Sequence, residues 1–221
     1  MLYWFGILGI IDHLLSLINY LHIRQPYAIP RTSLQWFQLH CISNLLITIQ
    51  CWREFTNILS NQDYILIETT NHEALYLAIS LHVYHILFWR ISEIDRIHHI
   101  SSVFICGPLM LYINTQLVSW LLIIATGIPG GIDYFLLVLV KLNKLTIKDE
   151  KNANALLNTY FRGPFGVLGS YFCYQYILQA RYMSQQAAAS IIMITSYWNA
   201  NYFTKLAIEN SIKYKLQKIS R

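Results

Sequence analysis

The chain has 221 residues, 55% of them hydrophobic and 12% charged, and its 16 Lys and Arg outnumber 11 Asp and Glu for a formal charge of +5. Soluble domains carry about 25% charged residues, so this composition, with a mean hydropathy of +0.39, excludes an ordinary water-soluble enzyme. Nucleic-acid binding is set aside too, because the basic residues lie in short segments beside apolar runs and form no folded basic domain.

Seven apolar stretches follow one another, at 2–22, 34–51, 74–89, 98–113, 116–140, 164–180 and 186–204. Each approaches the length that crosses hydrocarbon. Backbone amides in lipid must be satisfied internally, and the runs are too long and evenly apolar for barrel strands, so all seven are predicted to be α-helices. The first lacks a basic start and a small-residue cleavage site, and reads as a retained span and not a signal peptide. Within it, Asp12 and His13 read as a local polar pair. The segment 23–33, with Pro26 and Pro30, is expected to separate this span from the rest. In the fifth stretch, Thr126, Gly127, Ile128, Pro129, Gly130 and Gly131 predict a kink or an unwound step, serving either close packing or a site.

With the N-terminus outside, fourteen of the sixteen basic residues fall on the inner side. They are Arg24, Arg31, Arg90, Arg96, Lys141, Lys144, Lys148, Lys151 and Arg162, with Lys205, Lys213, Lys215, Lys218 and Arg221 at the C-terminal end. Arg53 and Arg181 stay outside, where Glu54, Asp63, Glu68 and Glu73 crowd the second connection. Retention of Lys and Arg on the cytoplasmic side then puts the C-terminus in the cytoplasm. Cys41, Cys51, Cys106 and Cys173 sit in or beside spans without metal-type spacing, so neither a disulfide framework nor a metal site is expected.

Ionisable groups are costly inside a bilayer and usually face a cavity or a partner. His82 and His85 share a helix face at i, i+3. His98 and His99 open the fourth span, and Asp133, eight residues before Lys141, lies roughly 12 Å from the inner end of the fifth. These five residues are expected to meet in the cytoplasmic half. Taken singly, His82 and His85 read as helix–helix hydrogen bonders, His98 and His99 as boundary residues, and Tyr84 as a packing aromatic. Asp133 resists the plain reading, being flanked by Ile132, Tyr134, Phe135 and Leu136. A histidine there could act as base or nucleophile, with Asp133 orienting it. Lys144 and Lys148 are basic loop residues that would attract phosphates from the cytoplasm. A retinal protein is disfavoured, because Lys205 sits at the inner end of the last span and the third span has no carboxylate.

The histidine pair in IDRIHHISSVF, the acidic helix GIPGGIDYFLLVLVKL about thirty residues on, and the closing YWNANYFTKLAIE together resemble the TLC domain of the ceramide synthases. The resemblance covers roughly 34–209. It implies that 34–209, holding the last six of the seven spans, is a TLC-like transmembrane bundle, preceded by the first transmembrane helix and a linker over 1–33 and followed by a basic cytoplasmic tail over 210–221. It also implies an internal membrane such as the endoplasmic reticulum and action on lipids, with His98, His99 and Asp133 as the catalytic match. His82 and His85 would line the substrate site. No resident cofactor is implied; acyl-CoA would be a co-substrate for acyl transfer, its phosphates attracted by Lys144 and Lys148, with membrane lipids the partners and a homodimer compatible. Where synthases carry a His-Asp dipeptide this chain has Pro129, Gly130 and Gly131. Two readings therefore stand: acyl transfer, and lipid binding or trafficking without turnover, alone or as a subunit of a membrane complex.

Overall fold

The computed structural model describes residues 1–23, 33–69, 71–89 and 93–216. The linker prolines Pro26 and Pro30, and the basic residues Arg24, Arg31, Arg90, Lys218 and Arg221, lie outside the described residues. Among the described residues the chain is helical nearly throughout and forms no strand, only an isolated bridge between Glu68 and Thr115. Seven helices follow: α1 (Leu2–Ile23), α2 (Ser33–Ser60), α3 (Glu73–Phe88), α4 (93–113), α5 (Leu117–Lys141), α6 (147–179) and α7 (Met183–Leu216). Two segments, Leu2–Leu21 and Leu117–Lys141, are long and apolar enough to cross a membrane.

Several helices outrun the apolar stretches that announce them. Helix α2 continues past Cys51 to Ser60, because its polar end is bonded to the loop below it. Helix α6 begins at Ile147, inside what reads as a polar inner loop. There the Thr146 hydroxyl accepts from the Asp149 amide at 3.1 Å and donates to the Asp149 carboxylate at 2.7 Å, capping the first turn. Helix α7 runs on to Leu216, so the first part of the basic tail is helix.

Three helices contain one widened turn each, in which an amide bonds the carbonyl five residues back: Gly107 to Ser102, Ile128 to Ile123 and Gly163 to Asn158. Each precedes a proline, at Pro108, Pro129 and Pro164. A proline ring in strict α register would press on the carbonyl four residues back, and the extra residue relieves that contact without ending the helix. Where a kink or an unwound step is expected at 126–131, the irregularity is the widened turn over Ile123–Gly127, and α5 stays helical through it. The small residues after it serve close packing: a Cβ at position 130 would lie 2.6 Å from Asn44 Nδ2 of α2.

At the end of the bundle holding the last turns of α2, the connection to α3 clamps onto the turn between α4 and α5. The Thr69 amide donates to the Asn114 carbonyl at 3.2 Å and the Gln116 amide to the Ile67 carbonyl at 2.9 Å. Asn114 takes the left-handed conformation (φ 47°) that this tight turn requires. Beneath it the buried Glu54 carboxylate accepts from the hydroxyls of Thr69 (2.7 Å) and Ser119 (2.5 Å). Glu54→Ala should take the carboxylate acceptor from both hydroxyls, leaving Thr69 its longer 3.3 Å bond to the Asn71 carbonyl, and lower stability by about 1–3 kcal/mol, read as reduced thermal stability in detergent. An unchanged melting curve would mean that this cluster does not hold the clamp.

Helix α1 packs against α2 and α3 through a buried carboxylate, that of Asp12. It accepts from Gln35 Nε2 at 2.6 Å and from the Tyr84 hydroxyl at 2.8 Å, while His13 points to the exposed face. The local Asp12–His13 pairing is replaced by cross-helix bonds, and Tyr84 is more than a packing aromatic.

Candidate functional site

At the opposite end of the bundle, a chamber of about 330 Å³ opens between the helices. Its wall is built from the start of α2 (Trp36, His40), the end of α3 (His82, His85) and the start of α4 (His98, His99). The lower half of α5 adds Asp133 and Tyr134, α6 adds Arg162, and α7 adds Asn199 and Phe203. All five residues singled out from the sequence as the polar cluster thus line one cavity. Lys144 and Lys148 do not: Lys144 borders a separate surface hollow with Val140, Leu145 and Ile147, and Lys148 is exposed.

The i, i+3 spacing on α3 turns His82 and His85 toward the first turns of α4, where adjacent His98 and His99 diverge. His99 is 5% exposed and its Nε2 lies 2.8 Å from His85 Nδ1. One ring donates and the other accepts, so the two imidazoles form a dyad along which a proton can pass. The indole of Trp36 packs on His85 and His40 and holds them from the α2 side. His82 is oriented differently. Its Nδ1 lies 2.7 Å from the Ala78 carbonyl, which can only accept, so Nδ1 carries the proton and Nε2 of the neutral ring the lone pair. The His82 ring centroid stands 4.8 Å from that of His99 and 5.5 Å from that of His98. His82 is therefore a base candidate in its own right, a stronger role than lining the site.

Asp133 faces the chamber with Oδ1 buried and unpartnered, and Arg162 does the same with Nε. The sequence reading placed Arg162 among topogenic charges; its signal was the Gly163-Pro164 step beside it, which widens the turn and swings residue 162 inward. His40, Trp36 and Asn199 were missed because a lone polar residue or aromatic within an apolar run carries no spacing signal. Thr126, on the widened turn of α5, donates to Asn44 at 2.9 Å and lines the wall. Among the described residues, no group of three or more His, Cys, Asp and Glu side chains is disposed to hold a metal ion.

A second cavity, of about 180 Å³, adjoins the first and shares His82, His98, Ala125, Thr126 and Asn199 with it. Its remaining wall is chiefly hydrophobic, with Leu75, Ile79, Val103, Met110 and Leu121. The site is thus a polar head with an apolar arm. Widened turns contribute to both parts, Ser101 and Ser102 to the arm, Thr126 to both, and Arg162 to the head. No protein-family model, curated protein or solved structure matches the chain.

Proposed function

We propose that this chain is a seven-span membrane protein of TLC type, with its N-terminus outside and its C-terminus in the cytoplasm of an internal membrane such as the endoplasmic reticulum. It binds lipids in the His/Asp chamber and transfers an acyl group there from acyl-CoA. The spanning reading is supported by large hydrophobic side chains left exposed along several helices, among them Ile10, Ile49, Phe104, Leu178 and Ile194. Helix α2 shows why simple hydropathy understates this. Its buried face carries Gln35, His40, Ser43, Asn44 and Glu54, while Leu45, Ile49 and Trp52 face outward.

The observation that carries the function is the His85–His99 dyad, buried beside His82 and facing the chamber that Asp133 lines. Imidazole takes the proton of an incoming amine or hydroxyl as it attacks the thioester carbonyl, and returns it to the departing thiolate. Asp133 stabilises the charged ring or the attacking donor. The apolar arm accommodates a hydrocarbon chain.

One observation favours a second reading, lipid binding or trafficking without turnover. Pro129, Gly130 and Gly131 stand where the synthases carry a His-Asp dipeptide before the residue matched by Asp133, and at position 130 a side chain would need Asn44 to move. The two readings separate experimentally. Protein extracted in mild detergent should retain an intact lipid in native mass spectrometry and consume acyl-CoA, and His98→Ala/His99→Ala should abolish consumption while the protein stays folded. Lipid retention without consumption supports the second reading. Neither property in well-folded protein would sink both.

A further inference from the structure

Arg162 is a half-buried cation whose hydrogen bonds are all with neutral groups. Its Nη1 donates to Asn158 Oδ1 at 3.1 Å, Nη2 approaches the Ala125 carbonyl at 3.5 Å, and the guanidinium lies 5.6 Å from the Phe203 ring. Nε is buried without a hydrogen-bond partner, and the carboxylate that acts on the guanidinium is that of Asp133. Asp133, in the same wall, also keeps a buried oxygen without a hydrogen bond, so the two opposite charges attract across one chamber while each leaves an atom unbonded toward it. A buried guanidinium nitrogen without an acceptor is unfavourable, and an anion entering the chamber would supply that acceptor.

The position of Arg162 is fixed in advance. Asn158 donates through Nδ2 to the carbonyl (2.8 Å) and side-chain oxygen (2.6 Å) of Asn154, which leaves its own Oδ1 aimed at Arg162. That residue is 1% exposed and its carbonyl also accepts from Thr204, so the ladder is anchored to α7. A planar guanidinium held in this way suits a carboxylate or phosphate better than a mobile lysine would.

We propose that Arg162 is the anion-recognition residue of the chamber, binding the phosphate or carboxylate of a single-chain amphiphile that also presents a hydroxyl or ammonium donor to Asp133. The inference rests on the lipid-chamber reading above. An amphiphile is favoured over a free anion because the head adjoins the apolar arm, which a free phosphate would leave unfilled. One arginine against one aspartate also favours a ligand with a donor beside its anionic group over a multiply charged ion.

The test uses the full chain in phosphatidylcholine nanodiscs, with oleoyl lysophosphatidic acid, monooleoylglycerol and inorganic phosphate as probes. Wild type should prefer the lysophosphatidic acid over the neutral lipid by about tenfold or more, and Arg162→Gln should reduce that preference to within about twofold without weakening monooleoylglycerol binding. Asn158→Asp keeps the arginine but supplies it with an internal counter-ion, and should erase the preference too. A preference that survives both variants, or is missing in wild type that binds both lipids, overturns the assignment to Arg162 and leaves the lipid chamber standing. Wild type that is folded and binds neither lipid overturns the chamber reading and this inference together. Arg162-dependent binding of inorganic phosphate at the affinity of the lysolipid would overturn the amphiphile as the ligand.

Discussion

His99→Ala is expected to lower acyl-CoA consumption by about 10²–10⁴-fold, and adding His85→Ala to it is expected to cost almost nothing more. The reason is the 2.8 Å contact between His85 Nδ1 and His99 Nε2 in a chamber wall where both rings are buried. Groups that move one proton between them act as a unit, so removing either breaks the relay and removing the second has little left to break. His85→Ala alone should show a loss of the same order. If His82 is instead the base, its Nε2 lone pair works without the dyad, and His82→Ala would be the damaging change while the other two effects would be small. Initial rates for the four members of the cycle decide this. Losses that simply add, with each single variant partly active, would mean that the two rings act separately and that the dyad is only a helix–helix contact.

The helical class and the convergence of the histidines were legible in the sequence because both leave periodic marks. Apolar runs of membrane length mark helices, and the i, i+3 pair on α3 together with the adjacent pair on α4 fixed which faces would meet. What was hidden depended on tertiary contact. Ile147 to Arg162 looked like a basic loop, since a helix whose polar residues are bonded to each other and to α7 shows no apolar stripe. Thr146 with Asp149 was the only local sign of its start. Gly-Pro steps at 107–108 and 163–164 were as visible as the break near Pro129, yet each reads as a helix stop until neighbouring helices show that the turn merely widens. Charge was the least legible property. Lys144, Lys148 and Arg162 are equivalent in an inner-loop tally, but only Arg162 reaches the chamber, because its widened turn rotates it inward while the other two stay in the connection and at the solvent-facing start of α6.

Asp12→Ala is expected to have the largest effect on stability, about 2–4 kcal/mol, and to loosen α1 from the bundle before the rest unfolds. The carboxylate is fully buried and takes bonds from the Tyr84 hydroxyl and from the Gln35 amide, on two different helices. Deleting it takes the carboxylate acceptor from donors on α2 and α3, although Gln35 Nε2 keeps its 2.8 Å bond to the Asp12 backbone carbonyl, and a lost buried bond of this kind costs about 1–3 kcal/mol. Asp12→Asn should cost less, since its side-chain oxygen still accepts one of the two bonds while the new amide must find an acceptor. Tyr84→Phe should remove one bond and reveal coupling with Asp12→Ala, because the pair shares a partner. Hydrogen exchange in detergent reads the effect locally: Asp12→Ala should speed exchange along 2–23 well before the amides of α5 are affected. Uniform acceleration through every helix would instead make α1 part of a single cooperative unit, and unchanged exchange would mean that the contact of Phe5 with Tyr84 and the bond from Trp4 to Glu73 suffice to hold it.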